Sequence, residues 1–281
     1  MISVGFEYER ATSVDDAIAK LAAAGGAKLI AGGHSLVPLM KLRLSEPERL
    51  IDISKIPGLS GITEAGGRIE IGATTTYAEI ASSVLLRDKC LVMAEAAAEV
   101  GDPQVRNRGT IGGSLAHADP AADLPAVVIA LDADIVLKGK AGARTVKASA
   151  FFRGFYDVDL APGELITAVQ FAPAKSAAYV KLHQKASGFA IVGVAAVLEV
   201  KDGVIQSARI GLTGATTHAM RLTAVEQALA GKTADAVAEA VKSAASGAPD
   251  VNGDLHAGVE YRQAMIPVFV RRAVEKALSR T

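Results

Sequence analysis

Two glycine pairs, each followed by a hydroxyl residue within two positions, are the strongest candidates for a ligand site in this chain. The first is Ala31-Gly32-Gly33-His34-Ser35 and the second is Thr110-Ile111-Gly112-Gly113-Ser114. Glycine has no Cβ, so a ligand can approach the backbone closely, and successive N–H groups in such a turn bind anions. Two segments of this kind can hold a pyrophosphate from two sides, which predicts a dinucleotide site rather than a site for a single phosphate.

Each glycine pair needs elements that position it, and the sequence predicts a strand before it and a helix after it. Residues 27–30 form a short apolar run typical of a buried strand, and residues 36–44 have the apolar spacing of a helix. The N-terminus of such a helix adds to the attraction for an anion. A single pair is more often an ordinary strand–turn–helix connection, whereas two pairs with the same chemistry favour a phosphate site.

Composition excludes several other classes of protein. The chain has 281 residues, half of them hydrophobic, which is enough for two or three packed layers. Its formal net charge of zero does not favour nucleic acid or an anionic membrane surface as a partner. The first residues have neither the basic nor the apolar region of a secretory signal, and no apolar run is long enough to span a bilayer. We therefore expect a cytoplasmic protein without membrane insertion.

The chain has one cysteine, Cys90, in an apolar context typical of buried packing. One cysteine cannot form a disulfide framework, and it cannot hold an iron–sulfur cluster or a structural zinc ion. The five histidines are scattered, without a pair at the spacing of metal ligands on a helix. We therefore expect no metal on this chain.

The order of the apolar patterns predicts an α+β protein of two domains. Residues 1–172 form the first, with subdomains at about 1–57 and 58–172, and residues 177–281 form the second. Helices are predicted at 14–21 (with Ser13 as N-cap), 77–86, 91–100, 123–131, 222–230, 234–245 and 261–278. Strands are predicted at 49–53, 62–63, 68–71, 134–137, 164–169, 179–184, 191–200 and 204–212, with a hairpin turn at 65–67.

Segments 31–43 and 110–120 together resemble the FAD-binding medium subunit of the molybdenum hydroxylases, most closely the carbon monoxide dehydrogenase type. The same flavoprotein occurs as a domain in xanthine dehydrogenases. The resemblance covers essentially the whole chain, with softer matches at 214–217, 221–222, 260–262 and 271–272. It implies a vanillyl-alcohol-oxidase (PCMH) type of FAD-binding fold of two subdomains, followed by an α+β C-terminal domain with an antiparallel sheet and helices.

The resemblance also implies a function and partners. Such a subunit holds FAD non-covalently and is an oxidoreductase component that does not oxidise the substrate alone. A small subunit with two-iron two-sulfur clusters and a large subunit with the molybdenum cofactor complete the enzyme, as a dimer of heterotrimers. Electrons pass from the iron–sulfur centres through FAD to an external acceptor, which is NAD, a quinone or another molecule. The single cysteine agrees with this division, because this chain cannot hold the clusters itself.

The residues of the FAD site are likewise implied by the resemblance. Phe189 stands where some relatives have a tyrosine or an acid, and we expect it beside the isoalloxazine ring without the hydrogen bond of a tyrosine. His34 lies in a Gly-Gly-His context that carries covalent flavin in other branches of the fold, but not in this family. The cofactor-binding residues implied are Ala31, Gly32, Gly33, His34, Ser35, Leu36, Thr110, Ile111, Gly112, Gly113, Ser114, Ala118, Asp123, Leu165, Ile166 and Lys181.

Four of these residues also have an ordinary structural explanation. Asp123 is expected at the ribityl or adenosine side of FAD, but an acid at a helix N-terminus also interacts with the helix dipole. Leu165 or Ile166 lines the ring pocket, or fills the core as any strand residue does. Lys181 stabilises negative charge on the reduced ring, or is a solvent-exposed lysine of a strand.

Three other functions compete with this one. A self-sufficient flavin oxidase or reductase of the same fold needs an acid or base over the flavin, and only His34 and His117 are candidates. A scaffold subunit would bind no flavin, which the two glycine pairs argue against. A nicotinamide-dependent dehydrogenase would show Gly-x-Gly-x-x-Gly after a strand, and this sequence does not.

Overall fold

A small parallel sheet begins the chain in the computed structural model, which describes residues 2–246 and 248–281. Its strands are β1 (Glu7–Arg10), β2 (Ala27–Ile30) and β3 (Arg49–Asp52), in the order β1-β3-β2, and its helices are α1 (Val14–Ala23) and α2 (Leu36–Lys41). Ser13 caps α1, since its side chain accepts a hydrogen bond from the N–H of Asp16 at 3.0 Å. The predicted strands, helices and cap of this region are confirmed.

The second subdomain is built on a five-stranded antiparallel sheet. The strands are β4 (Ile62–Ala65), β5 (Arg68–Gly72), β6 (Asp134–Gly139), β7 (Gly142–Lys147), the hairpin pair β8 (Phe152–Gly154) and β9 (Asp157–Val158), and β10 (Leu165–Phe171). The sheet order is β4-β5-β10-β6-β7, and β8 pairs with β9 separately. The helices are α3 (Tyr77–Ser82), α4 (Val84–Lys89), α5 (Leu91–Ala98), α6 (Pro103–Arg106), α7 (Ile111–His117), α8 (Asp123–Ala130) and α9 (Ala148–Phe151).

The single helix predicted at 77–86 is wrong, because this region forms the two helices α3 and α4. Ser83 lies between them with ψ of 119°, outside the helical region. Its hydroxyl caps α4 by accepting a hydrogen bond from the N–H of Leu86 at 3.3 Å. A serine side chain competes in this way for backbone N–H groups, so it ends one helix and begins the next.

Helix α8 lies between the two domains, and all eight of its residues are buried. It packs against α5 and against two strands of the C-terminal sheet, β12 (Ala190–Lys201) and β13 (Val204–Thr213). That antiparallel sheet begins with β11 (Ala177–His183) and ends with β14 (Met220–Arg221), in chain order. Gly211 of β13 meets the carbonyl group of Ala126 so closely that a Cβ would overlap it. The domains therefore share a packed junction.

The opposite face of the C-terminal sheet is covered by helices α10 (Thr223–Leu229), α11 (Val237–Ser246) and α12 (Val259–Leu278), with a 3₁₀ turn at Ala234–Ala236. The end of α12 is tied to the first domain, because Lys276 and Arg280 both form ion pairs with Glu95 of α5. The predicted α+β class with an antiparallel C-terminal sheet is confirmed. Across the described residues, none of the helices combines the length and apolar character needed to cross a membrane.

Candidate functional site

The first glycine segment, residues 31–35, connects β2 to α2. Gly33 has φ of +78°, a conformation that side chains rarely adopt, which explains glycine at this position. Within the described residues, the N–H groups of residues 31–35 donate to no protein acceptor. His34 is exposed, and its ring nitrogen lies 3.4 Å from the carbonyl oxygen of Gly32. The segment therefore presents a row of free N–H groups, the kind of group that binds an anion.

The second glycine segment, residues 110–114, differs from its prediction. The short helix α6, not a strand, precedes it, and both glycines lie inside the first turn of α7. Thr110 caps α7 by accepting a hydrogen bond from the N–H of Gly113 at 3.2 Å. The N–H groups of Ile111 and Gly112 donate to carbonyl groups of segment 73–75 at 3.1 and 2.8 Å. The expected strand-to-helix turn is wrong here, and the fold itself uses most of these N–H groups.

The first glycine segment lies against Arg108 and Gly109, which immediately precede the second segment. A Cβ on Gly32 would overlap the carbonyl oxygen of Arg108 and would lie 3.0 Å from the Cα of Gly109. A Cβ on Gly109 would in turn overlap the ring of Tyr77. Backbone meets backbone at this junction, and only glycine permits that approach. The structure thus brings together the two segments that the sequence pattern singled out, although they are about eighty residues apart in the chain.

A buried network of Asp123, Lys181 and Tyr179 follows the second segment. Asp123 is the first residue of α8, and its carboxylate lies 3.0 Å from Nζ of Lys181. The hydroxyl of Tyr179 donates to the same carboxylate at 2.5 Å. Burial raises the pKa of Asp123 to about 6, against the opposing effects of Lys181 and Tyr179. Burial and the neighbouring carboxylate raise the pKa of Tyr179 well above its usual value, so the tyrosine keeps its proton and donates.

Lys181 connects three parts of the chain. Its ammonium group pairs with Asp123 and donates to the carbonyl oxygens of Glu99 and Gly188 at 2.7 and 2.6 Å, which uses all three donors. The side chain is only 2% exposed. The alternative of a solvent-exposed lysine is therefore wrong, because the strand that carries Lys181 faces the first domain. A contact between Lys181 and FAD stays a prediction.

The remaining predicted residues lie at different depths. Leu165 and Ile166 are buried in β10, where Leu165 packs into the core of the small subdomain and Ile166 into the core of the larger one. Ala118 ends α7 in the left-handed conformation, with φ of +51°, and is buried. Phe189 is 47% exposed. Their contacts with FAD stay predictions.

Phe189 lines an open cavity of about 420 Å³ at the junction of the two domains. The tip of the β8–β9 hairpin, Phe155 and Tyr156, lines it from another side. The hydroxyl of Tyr156 donates to Asp119 at 3.2 Å, and burial together with that carboxylate raises the pKa of Tyr156 to about 12. The rings of Tyr156 and His117 are 5.0 Å apart, and burial lowers the pKa of His117.

Sequence reasoning missed two groups of residues at this junction. Tyr179 has a signal that could have found it, since it is two residues before Lys181 on a strand and therefore shares its face. Phe155 and Tyr156 carry only the weak signal of two adjacent aromatic residues, because their hairpin was not predicted.

In the part of the chain that the structure describes, no three His, Cys, Asp or Glu side chains lie together in a way that could hold a metal ion. Cys90 is buried, and burial raises the pKa of its thiol to about 12. A thiol with so high a pKa is not a thiolate ligand at neutral pH.

Two family models match the chain. The first, described as the FAD binding domain in molybdopterin dehydrogenase, matches residues 4–174. The second, described as the CO dehydrogenase flavoprotein C-terminal domain, matches residues 177–277. Together the two models cover nearly the whole chain.

Individual relatives are similar over their full length. The carbon monoxide dehydrogenase medium chain of Hydrogenophaga pseudoflava is 42% identical, covering 100% of this chain and 99% of that protein. The 6-hydroxypseudooxynicotine dehydrogenase complex subunit alpha of Paenarthrobacter nicotinovorans is 38% identical, covering 98% and 95%. A solved structure of the Hydrogenophaga pseudoflava carbon monoxide dehydrogenase has a TM-score of 0.96 at 43% identity, covering 100% of this chain and 99% of that one.

Proposed function

This chain belongs to the family of FAD-binding subunits of molybdopterin dehydrogenases, and we propose that it passes electrons from an iron–sulfur partner through FAD to an external acceptor. The predicted family, FAD as the cofactor and the class of oxidoreductase subunit are confirmed. The route of the electrons, the partners and the residues that touch FAD are the proposal.

One observation carries the proposal: the free N–H groups of residues 31–35 lie beside the backbone of Arg108 and Gly109. FAD contains a diphosphate, and backbone N–H groups without a protein acceptor bind such an anion. The missing Cβ at Gly32 lets the backbone of Arg108 lie against it, which holds those N–H groups beside Arg108 and Gly109. The residues present therefore fit the diphosphate of FAD, with the hydroxyl groups of Ser35 and Ser114 as further donors.

When bound, FAD supplies the redox chemistry. The chain's own residues bind and orient it. Lys181 holds the turn at Gly188 against the backbone at Glu99, which fixes the neighbouring Phe189 at the domain junction. Asp123 balances the charge of Lys181 in a site closed to water, because a lone buried ammonium group would be costly.

The partners follow from the relatives' names and from the cysteine count. The relatives are named as a medium chain and as a subunit of a dehydrogenase complex, which supports partner subunits for this chain. Its single cysteine cannot hold a cluster, which supports iron–sulfur centres on another subunit. As the family resemblance implies, we propose two-iron two-sulfur clusters on a small partner and the molybdenum cofactor on a large one, in a dimer of heterotrimers. The two relatives are named for different substrates, which supports substrate selection by another subunit.

The test is to purify the chain from its native host with the subunits that accompany it and to record absorbance spectra and a subunit gel. We expect flavin bands, iron–sulfur absorbance and two further chains, one smaller and one larger. Flavin on a lone chain that turns over a substrate by itself would instead favour the self-sufficient oxidase or reductase. No flavin, even after FAD is added, would contradict the central claim.

Acid precipitation tests the non-covalent attachment of FAD. His34 is the residue at the position of the covalent tether in other branches of the fold, and its side chain is exposed. We expect the yellow colour to stay in the supernatant when the protein is precipitated. Colour that stays with the precipitate, and that is lost from it in a His34→Ala variant, would show a covalent bond.

A further inference from the structure

The cavity at the domain junction has an aromatic mouth. Phe155, Tyr156 and Phe189 line it and are 66%, 46% and 47% exposed, although aromatic residues make up only 4% of the chain. Tyr156 has φ of +53°, a strained conformation for a bulky side chain, and it is held there by its hydrogen bond to Asp119. Exposed aromatic side chains around one cavity favour a planar, apolar ligand.

The floor of this cavity is preformed, because its backbone carbonyl groups are already hydrogen-bonded. The carbonyl of Pro120 accepts from the N–H of Gly214 at 2.7 Å and from the hydroxyl of Thr213 at 2.8 Å. Arg262 donates to the carbonyl of Ile191 at 2.8 Å and to that of Gly214. A ligand therefore meets a rigid floor, and its polar atoms must be recognised by side chains at the rim.

The charges that line the cavity argue against a nicotinamide dinucleotide. Among the described lining residues, Arg262 is the one lysine or arginine, and its side chain is 3% exposed and paired with Asp254. Asp254 thus balances the charge of Arg262, and Asp119 adds one further carboxylate. A diphosphate placed here would meet the carboxylate of Asp119 and no unpaired lysine or arginine among the described lining residues, which disfavours it.

One hydrogen-bond donor at the rim has an orientation fixed by its neighbour. Oε1 of Gln184 accepts from the N–H and the hydroxyl of Ser187, at 2.6 and 2.9 Å. The amide nitrogen of Gln184 is therefore the free end, and it donates to no acceptor in residues 2–246 and 248–281. A carbonyl oxygen on a planar ring is a suitable acceptor for it.

We propose that this cavity binds the external electron acceptor, and that the acceptor is an uncharged planar quinone. The inference rests on the proposed function, because it requires FAD beside Phe189. Two electrons and two protons convert a quinone into its hydroquinone, and reduced FAD releases the same two electrons and two protons as it returns to the oxidised form. The aromatic mouth holds the ring, and Gln184 donates to a ring carbonyl.

The test compares two glycine variants of the full chain, loaded with FAD and with its native companions. Tyr156→Gly removes one aromatic wall without backbone strain, because φ of +53° suits glycine. Asp202→Gly is the matched control, since Asp202 has the same φ in the β12–β13 turn and does not line the cavity. Menadione is the probe, with its binding measured by equilibrium dialysis and its rate of flavin reoxidation by stopped flow.

We expect the unaltered chain to bind one menadione, which NAD⁺ does not displace. In Tyr156→Gly the affinity for menadione should be at least about fivefold weaker at unchanged FAD content, as the loss of an aromatic contact predicts. Asp202→Gly should match the unaltered chain. Three outcomes overturn the inference alone: displacement by NAD⁺, equal affinity in both variants, or menadione that binds only when FAD is absent, which would make the cavity the flavin's own. A chain that takes no FAD would remove the proposed function and this inference together.

Discussion

The two glycine segments share a sequence pattern but present different groups to a ligand. In residues 31–35 the backbone turns through Gly33 at a positive φ, and the N–H groups have no protein acceptor within the described residues. In residues 110–114 the glycines are helical, and the N–H groups of Ile111, Gly112 and Gly113 bind Thr75, Ala73 and the Thr110 hydroxyl. The first segment therefore has N–H groups available for a ligand, whereas the second uses most of its N–H groups within the fold.

A glycine pair followed by a hydroxyl residue therefore indicates that another part of the chain packs closely against the backbone, and does not by itself indicate an anion site. Gly32 is required because the backbone of Arg108 lies against it, and Gly112 because Ala73 lies against it. The two requirements look alike in the sequence. They separate only when the destination of each N–H group is known.

The largest effect is expected from Gly32→Ala. The added Cβ would overlap the carbonyl oxygen of Arg108, and a backbone atom cannot move aside as a flexible side chain can. Holding Gly32 and Arg108 together around FAD would then cost about 1–3 kcal/mol of overpacking, so FAD affinity should fall about five- to 150-fold. The measurement is a fluorescence titration of flavin-free protein with FAD. Gly25→Ala is the control, since a Cβ at Gly25 meets nothing within 4 Å in the described structure. An unchanged FAD affinity in Gly32→Ala would show that the close contact between Gly32 and Arg108 is not needed for FAD binding.

A smaller and different effect is expected from Gly112→Ala. Its Cβ would lie 2.7 Å from the Cβ and carbonyl oxygen of Ala73, inside the core. The free energy of unfolding should fall by about 1–3 kcal/mol, with FAD affinity changed less than in Gly32→Ala. Urea unfolding and the same FAD titration distinguish the two. A selective loss of affinity at unchanged stability would show that the second segment binds FAD as directly as the first.

Asp123, which follows the second glycine segment in the chain, should make the stability of the fold depend on pH. Because burial raises its pKa to about 6, the folded chain takes up a proton more readily than the unfolded chain as the pH falls from about 6 to about 4. This group therefore stabilises the fold progressively in that window, and the contribution is lost as the pH rises through 6. The unfolding temperature of the unaltered chain should therefore rise, relative to that of the Asp123→Asn variant, as the pH falls through this window. The opposite trend would show that attraction to Lys181 outweighs burial.

The smallest effects are expected at the two hydroxyl residues. Thr110→Ala removes the cap of α7 and should lower the free energy of unfolding by about 1 kcal/mol. Ser35→Ala should change it by less than about 0.5 kcal/mol, because Ser35 makes no capping hydrogen bond in the described structure. Paired urea unfolding curves measure both. Equal losses would mean that Ser35 supports its helix as Thr110 does.

Much of the local structure could be predicted, because its causes lie close together in the sequence. Three predicted features depend on neighbours only a few residues away. They are the cap at Ser13, the strand before the first glycine segment, and the hairpin at Gly66 and Gly67, which both have a positive φ. The break at Ser83 is also local, but serine is common in continuous helices, so its capping role was not evident.

Residue type and short spacing in the sequence specify the α+β pattern, the family resemblance and the two glycine segments. Lys181 is buried against Asp123, 58 residues away, and Phe155 and Tyr156 share a cavity with Phe189, solely through the tertiary fold. The tertiary fold also decided which N–H groups of the second segment are used. The physical reason is that burial, charge pairing and hydrogen-bond acceptors come from elements distant in the chain, and no local pattern specifies which of them will meet.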